Sequence, residues 1–163
     1  MTIKKTIESQ YYASLEMLKQ AIVECPNSLW AGSEYKNEFW HIAYHVLFYA
    51  HLYLQPTEED FAPWEKHKNQ YRVLESSSEE PELSEPLSKE ELLEYLAFCH
   101  QQVEEIVSIL NLSAESGFYW LPFDKLELQF YNIRHLQQHT GELCERLGAT
   151  GDIEIGWVGR KPD

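Results

Sequence analysis

Phe39-Trp40-His41-Ile42-Ala43-Tyr44-His45-Val46-Leu47-Phe48-Tyr49-Ala50-His51-Leu52-Tyr53-Leu54 runs for sixteen residues without an Asp, Glu, Lys or Arg. Thirteen of them are apolar, and the other three are His41, His45 and His51. A helix that is apolar nearly all round must bury most of its faces. At about 1.5 Å of rise per residue it is roughly 24 Å long, too short to cross a bilayer comfortably. The stretch therefore reads as the central helix of a helical core. Its start is expected near Ser33 or Glu34, where serine followed by an acid suits a first turn, and Pro56 ends it.

The flanking sequence supplies helices to cover it. Ile7, Tyr11, Leu15, Leu18 and Ile22 fall at spacings of three and four, which predicts a helix over 3–23. Pro26-Asn27-Ser28 then breaks it. Ser88-Lys89-Glu90-Glu91 has the form of a capping box, and Leu92, Leu96, Cys99, Val103, Ile106 and Leu110 form the stripe of the helix it opens. An aromatic turn over 117–123 leads to a last helix over 124–147, with Leu126, Phe130, Ile133, Leu136, Leu143 and Leu147 as its apolar stripe. Gly148 reads as its C-cap. The expected class is all-α: a four-helix bundle with one long crossover between the second and third helices. The bundle domain is expected over 1–148 and a tail over 149–163, with no internal repeat and no strand. In the acidic crossover, 56–87, Trp64 and Tyr71 are expected to fold the first half back as a short helix. The middle, Glu75-Ser76-Ser77-Ser78-Glu79-Glu80-Pro81-Glu82, has the composition of a flexible segment. A solvated connection and a lid over a pocket both stay open.

Composition narrows the function. The chain of 163 residues is 44% hydrophobic and carries a net charge of −14, from 13 basic and 27 acidic residues. Such a surface repels phosphate backbones and anionic lipid, which argues against nucleic-acid and membrane partners. The N-terminal Met1-Thr2-Ile3-Lys4-Lys5-Thr6-Ile7-Glu8 has no secretory pattern. Cys25, Cys99 and Cys144 are widely spaced, without a C-x-x-C, as in reduced thiols of a cytoplasmic protein.

The histidines carry the chemistry. His135 and His139 are four apart, so both imidazoles lie on one helix face. They flank the apolar stripe beside Tyr131, Asn132 and Glu142, as pocket-wall residues do. His41 and His45 repeat that spacing, whereas His51 falls about 120° round from His45 at 100° per residue. His51, His67 and His100 read as hydrogen-bonded core residues. Two i,i+4 pairs on two core helices fit a metal site, a buried histidine network or ordinary surface histidines, and spacing leaves all three open. Burial keeps imidazole neutral, the form that a divalent cation requires. Nitrogen-only ligation favours zinc, nickel, copper or iron over magnesium or calcium. Three ligands leave room for water or substrate, including a thiol held as thiolate.

Trp40-His41-Ile42-Ala43-Tyr44-His45-Val46-Leu47-Phe48, followed in the last helix by Asn132-Ile133-Arg134-His135-Leu136-Gln137-Gln138-His139-Thr140-Gly141-Glu142-Leu143, resembles the DinB-like (YfiT-like) metalloprotein superfamily. The resemblance runs from the first helix to about Leu147. It implies an antiparallel-type four-helix bundle binding zinc or nickel through His45, His135 and His139. His41 has no fixed role in that pattern and stands as an extra or substitute ligand. The better-understood members are transferases and an isomerase that use low-molecular-weight thiols, which implies a small-molecule substrate. Glu142 is either an exposed structural carboxylate or, behind a ligand, an acceptor or general base. Tyr44, Tyr49 and Tyr131 either orient a substrate or only pack. Trp157 and Arg160 either close over a pocket or partner subunit or belong to a disordered tail. Three functions compete: a metal-dependent transferase or hydrolase, a non-catalytic metal- or ligand-binding bundle, and a stress-related homodimer meeting through Tyr11–Tyr12.

Overall fold

The computed structural model describes residues 2–74 and 85–162, and all its regular structure is helical. The elements are α1 (Ile3–Glu24), a single turn α2 (Asn27–Trp30), α3 (Phe39–Leu52), a 3₁₀ turn (Asn69–Arg72), α4 (Lys89–Ile109) and α5 (Lys125–Gly151). The acidic middle of the crossover lies outside the described residues.

Local chemistry sets several helix ends. Ser88 and Glu91 form the full capping box at α4, and Asp124 accepts from the Glu127 backbone at 2.9 Å to open α5. Each satisfies an N–H left without a partner in the first turn. Of the fourteen residues of α3, all but Tyr49 are buried. The α1 stripe Ile7, Tyr11, Leu15, Leu18 and Ile22 is buried too. α1 packs on α4 and α5, and α3 packs on the same two, so α1 and α3 stand diagonally opposed with the core between them. No described helix is long and apolar enough to cross a membrane.

Three expectations require correction. α3 begins at Phe39, not near Ser33. Residues 33–38 are drawn into a loop, where the Asn37 carbonyl accepts from Arg146 at 2.7 Å and the Tyr35 ring lies under the same guanidinium. The last helix passes through Gly148 to Gly151, and left-handed Asp152 closes it. Its backbone N–H bonds the Gly148 carbonyl, and Ile153 packs back on the core. The buried face of α5 is also rotated from the expected stripe. Leu128, Gln129, Asn132, Leu136, Thr140, Leu143 and Leu147 point inward, while Phe130 is 56% exposed. Gln129 and Asn132 tolerate burial because they are hydrogen-bonded: Tyr11 donates to Gln129 at 2.9 Å, and Asn132 donates to the Ala50 carbonyl at 3.0 Å.

The first half of the crossover does fold back. The Trp64 ring stacks on Tyr95 with centroids 4.5 Å apart, and Tyr71 is wholly buried. The tail runs along α1 towards its N-terminal end. Gly156 bonds Gln20, the Gly159 carbonyl accepts from Gln10, and Lys161 reaches Ser9 and Glu8. Tyr11, expected at a dimer contact, is fully buried and cannot meet a partner chain.

Candidate metal centre

α3 and α5 pack side by side, which brings His45 against His135 and His139. One nitrogen or more from each ring lies within 4.8 Å of the others. Ring centroids are 5.2 Å apart for His45–His135, 5.0 Å for His45–His139 and 4.8 Å for His135–His139. His41 is not in the group: its Nε2 meets the Tyr71 carbonyl at 3.0 Å.

Two rings are held from behind. His45 Nδ1 lies 2.7 Å from the Arg72 carbonyl, and a carbonyl can only accept. The proton is therefore on Nδ1, and Nε2 carries a lone pair into the cluster. His139 Nδ1 likewise donates to Glu142 Oε2 at 3.1 Å. His135 Nε2 faces His45 Nε2 at 3.2 Å, while its buried Nδ1 has no hydrogen-bond partner among the described residues. Burial, reinforced by the neighbouring imidazoles, pushes His45 down to about 3. Burial pushes His135 down to about 4. These rings stay neutral at pH 7.

Such a set suits a divalent cation. Nitrogens bound at about 2.0–2.1 Å in a tetrahedral shell lie about 3.3 Å apart, close to the 3.2 Å between His45 and His135. The group of three can hold a metal ion.

The aromatic residues divide between wall and packing. Tyr49, the one α3 residue not fully buried, lays its ring 4.9 Å from that of His45 and 5.5 Å from that of His135. Tyr44 faces the other way and bonds His67. Tyr131 packs on Tyr53 and Phe123. Of the remaining histidines, His51 is a core residue and bonds the Tyr95 hydroxyl at 3.3 Å, whereas His100 is only half-buried and lies against Tyr12. The cysteines are free thiols.

Glu142 is legible in the sequence as a residue beside the clustered histidines, whereas Arg146 does not stand out there. Its one signal is spacing: His139, Glu142 and Arg146 stand three and four apart on one helix face. No spacing in sequence could reveal the Arg72 carbonyl, because it is a backbone group. A groove of about 910 Å³ lies elsewhere, between α1, α5 and the tail, and none of the three histidines lines it. Trp157, 80% exposed, stands at that groove, and Arg160 is exposed.

No known family model, curated protein or solved structure matches this chain.

Proposed function

We propose that the protein is a DinB-like four-helix bundle, its long crossover joining α3 to α4, and that it binds zinc or nickel through His45, His135 and His139 to act on a small molecule, with a low-molecular-weight thiol as the first substrate class to test. The observation that carries this reading is the convergence of three imidazoles, one buried and two half-buried, of which two have the far nitrogen already tethered to an acceptor. Buried polar atoms normally face partners; without a cation His135 Nε2 can donate to His45 Nε2, and His135 Nδ1 has no partner among the described residues. Three protein ligands leave coordination positions open, as catalytic sites do and closed structural sites do not. A bound divalent cation would polarise a substrate and favour the thiolate form of a thiol. Tyr49 would form the wall beside it.

A non-catalytic metal- or ligand-binding bundle is the second reading. It is favoured by the position of the large groove, away from the histidines. Elemental analysis of untagged protein, purified without chelator, separates metal from no metal. About one zinc or nickel per chain, lost in His135→Ala/His139→Ala, supports the centre. No metal in the wild type, even after zinc or nickel is added, rejects it. With metal bound, turnover in a thiol-transfer and small-ester screen then favours the first reading, and its absence favours the second.

A further inference from the structure

Behind His139 stands a second layer of charge. Glu142 accepts from His139 through Oε2 at 3.1 Å and from Arg146 Nη2 through Oε1 at 2.5 Å. Arg146, only 6% exposed, donates its Nη1 to the Asn37 carbonyl at 2.7 Å. Its guanidinium carbon lies 4.2 Å from the centre of the Tyr35 ring. One planar fork thus touches a carboxylate, a loop carbonyl and an aromatic face together, a geometry that lysine does not reproduce.

Arg146 is not needed to neutralise an isolated buried acid, since the Glu142 side chain is 39% exposed. A carboxylate that open to water would sample several rotamers. Held by Arg146, it has one orientation, with its second oxygen on His139 Nδ1. That bond puts the His139 proton on Nδ1 and leaves Nε2 for a metal. The same guanidinium ties down the loop over 31–38, which leads directly into α3 and His45.

We infer that Arg146 is a positioning residue for the metal centre: acting through Glu142 it sets the metal-binding tautomer of His139, and through Asn37 and Tyr35 it couples metal occupancy to the order of the 31–38 loop. The inference rests on the proposed metal site, and it adds a dependence of that site on a residue that touches no metal. Loop and ligand share one clamp.

The test is a double-mutant cycle read by Co²⁺ affinity, from the visible absorption of the bound ion, on wild type, Glu142→Gln, Arg146→Met and the double variant. Each single substitution should weaken Co²⁺ binding about 10–100-fold, the range for loss of a carboxylate behind a ligating histidine. The double variant should bind no more weakly than Glu142→Gln alone, because Arg146 acts through Glu142. Hydrogen exchange supplies a second readout: Co²⁺ should slow exchange over 31–38 in the wild type and not in Arg146→Met. If Arg146→Met does not fold, Arg146→Lys takes its place and should show a partial loss that is again absent in the Glu142→Gln background. Losses that simply add, or unchanged affinity in Glu142→Gln, overturn the relay while leaving the metal centre intact. A wild type that binds no Co²⁺ overturns the metal centre, and the relay with it.

Discussion

Two polar sites on α5 differ in how fully the protein satisfies them. At its start, Lys125 sends its ammonium to three carbonyls: Gln55 at 2.8 Å, Pro56 at 2.7 Å and Ser116. Three donors meet three acceptors, and the end of α3 is stapled to the loop before α5. Gly117, with φ +83, belongs to the same staple, since a Cβ there would lie 2.0 Å from the Pro56 carbonyl oxygen. Further along α5, His135 and His139 meet His45 with ring nitrogens turned towards one another. The first site is complete within the protein, whereas the second leaves His135 Nδ1 without a partner among the described residues. Buried polar groups that satisfy one another hold a scaffold together, while a group left unsatisfied has room for a ligand.

That contrast can be broken most forcefully with acid. His45, His135 and His51 have folded-state values of about 3, about 4 and about 4, below the 6.5 of an unfolded histidine, chiefly because burial disfavours the charged ring. Below pH 6.5 the unfolded chain takes up protons that the folded chain refuses, so stability is highest above that value and falls as pH drops towards 4. At about 1.4 kcal/mol per pKa unit the metal-free protein should lose several kcal/mol over this window. Urea unfolding at pH 7, 6, 5 and 4 measures it, and a flat profile would mean that the rings are wetter than they look. Lys125→Met should come next in size. It strands three carbonyls and should cost about 3 kcal/mol while leaving Co²⁺ affinity unchanged. A shift in affinity would show that the two sites are not independent.

The smallest effect is expected at the histidine cluster itself. His135→Leu removes the buried Nδ1 that lacks a partner among the described residues, but it also removes the Nε2 contact with His45 at 3.2 Å. The two effects oppose each other, so metal-free protein should change in stability by no more than about 1 kcal/mol while Co²⁺ binding is lost. If the metal-free variant is much less stable by denaturant unfolding, the histidines brace the fold rather than wait for a ligand.

Much of this was legible in the chain. Spacings of three and four located α1, α4 and α5, and Ser88 and Asp124 mark their helix starts because a cap is a contact between near neighbours in sequence. The pairing of His135 with His139 was equally local, for an i,i+4 spacing on a helix is a distance in space. The face of α5 was harder. Periodicity favoured Phe130, but Gln129 and Asn132 take the inward positions through bonds to Tyr11 and Ala50 on other helices.

By itself the sequence determined an all-helical chain with an uncharged central helix and histidines at helical spacing on two elements, because those properties follow from composition and from bonds within a turn. Only the tertiary structure decided that His45 rather than His41 joins the pair on α5. Both rings stand one turn apart on the same helix, and each gives a nitrogen to the returning crossover, His41 to the Tyr71 carbonyl and His45 to the Arg72 carbonyl. What separates them is that His45 also lies against α5, a contact with a helix ninety residues further along the chain that no local pattern encodes.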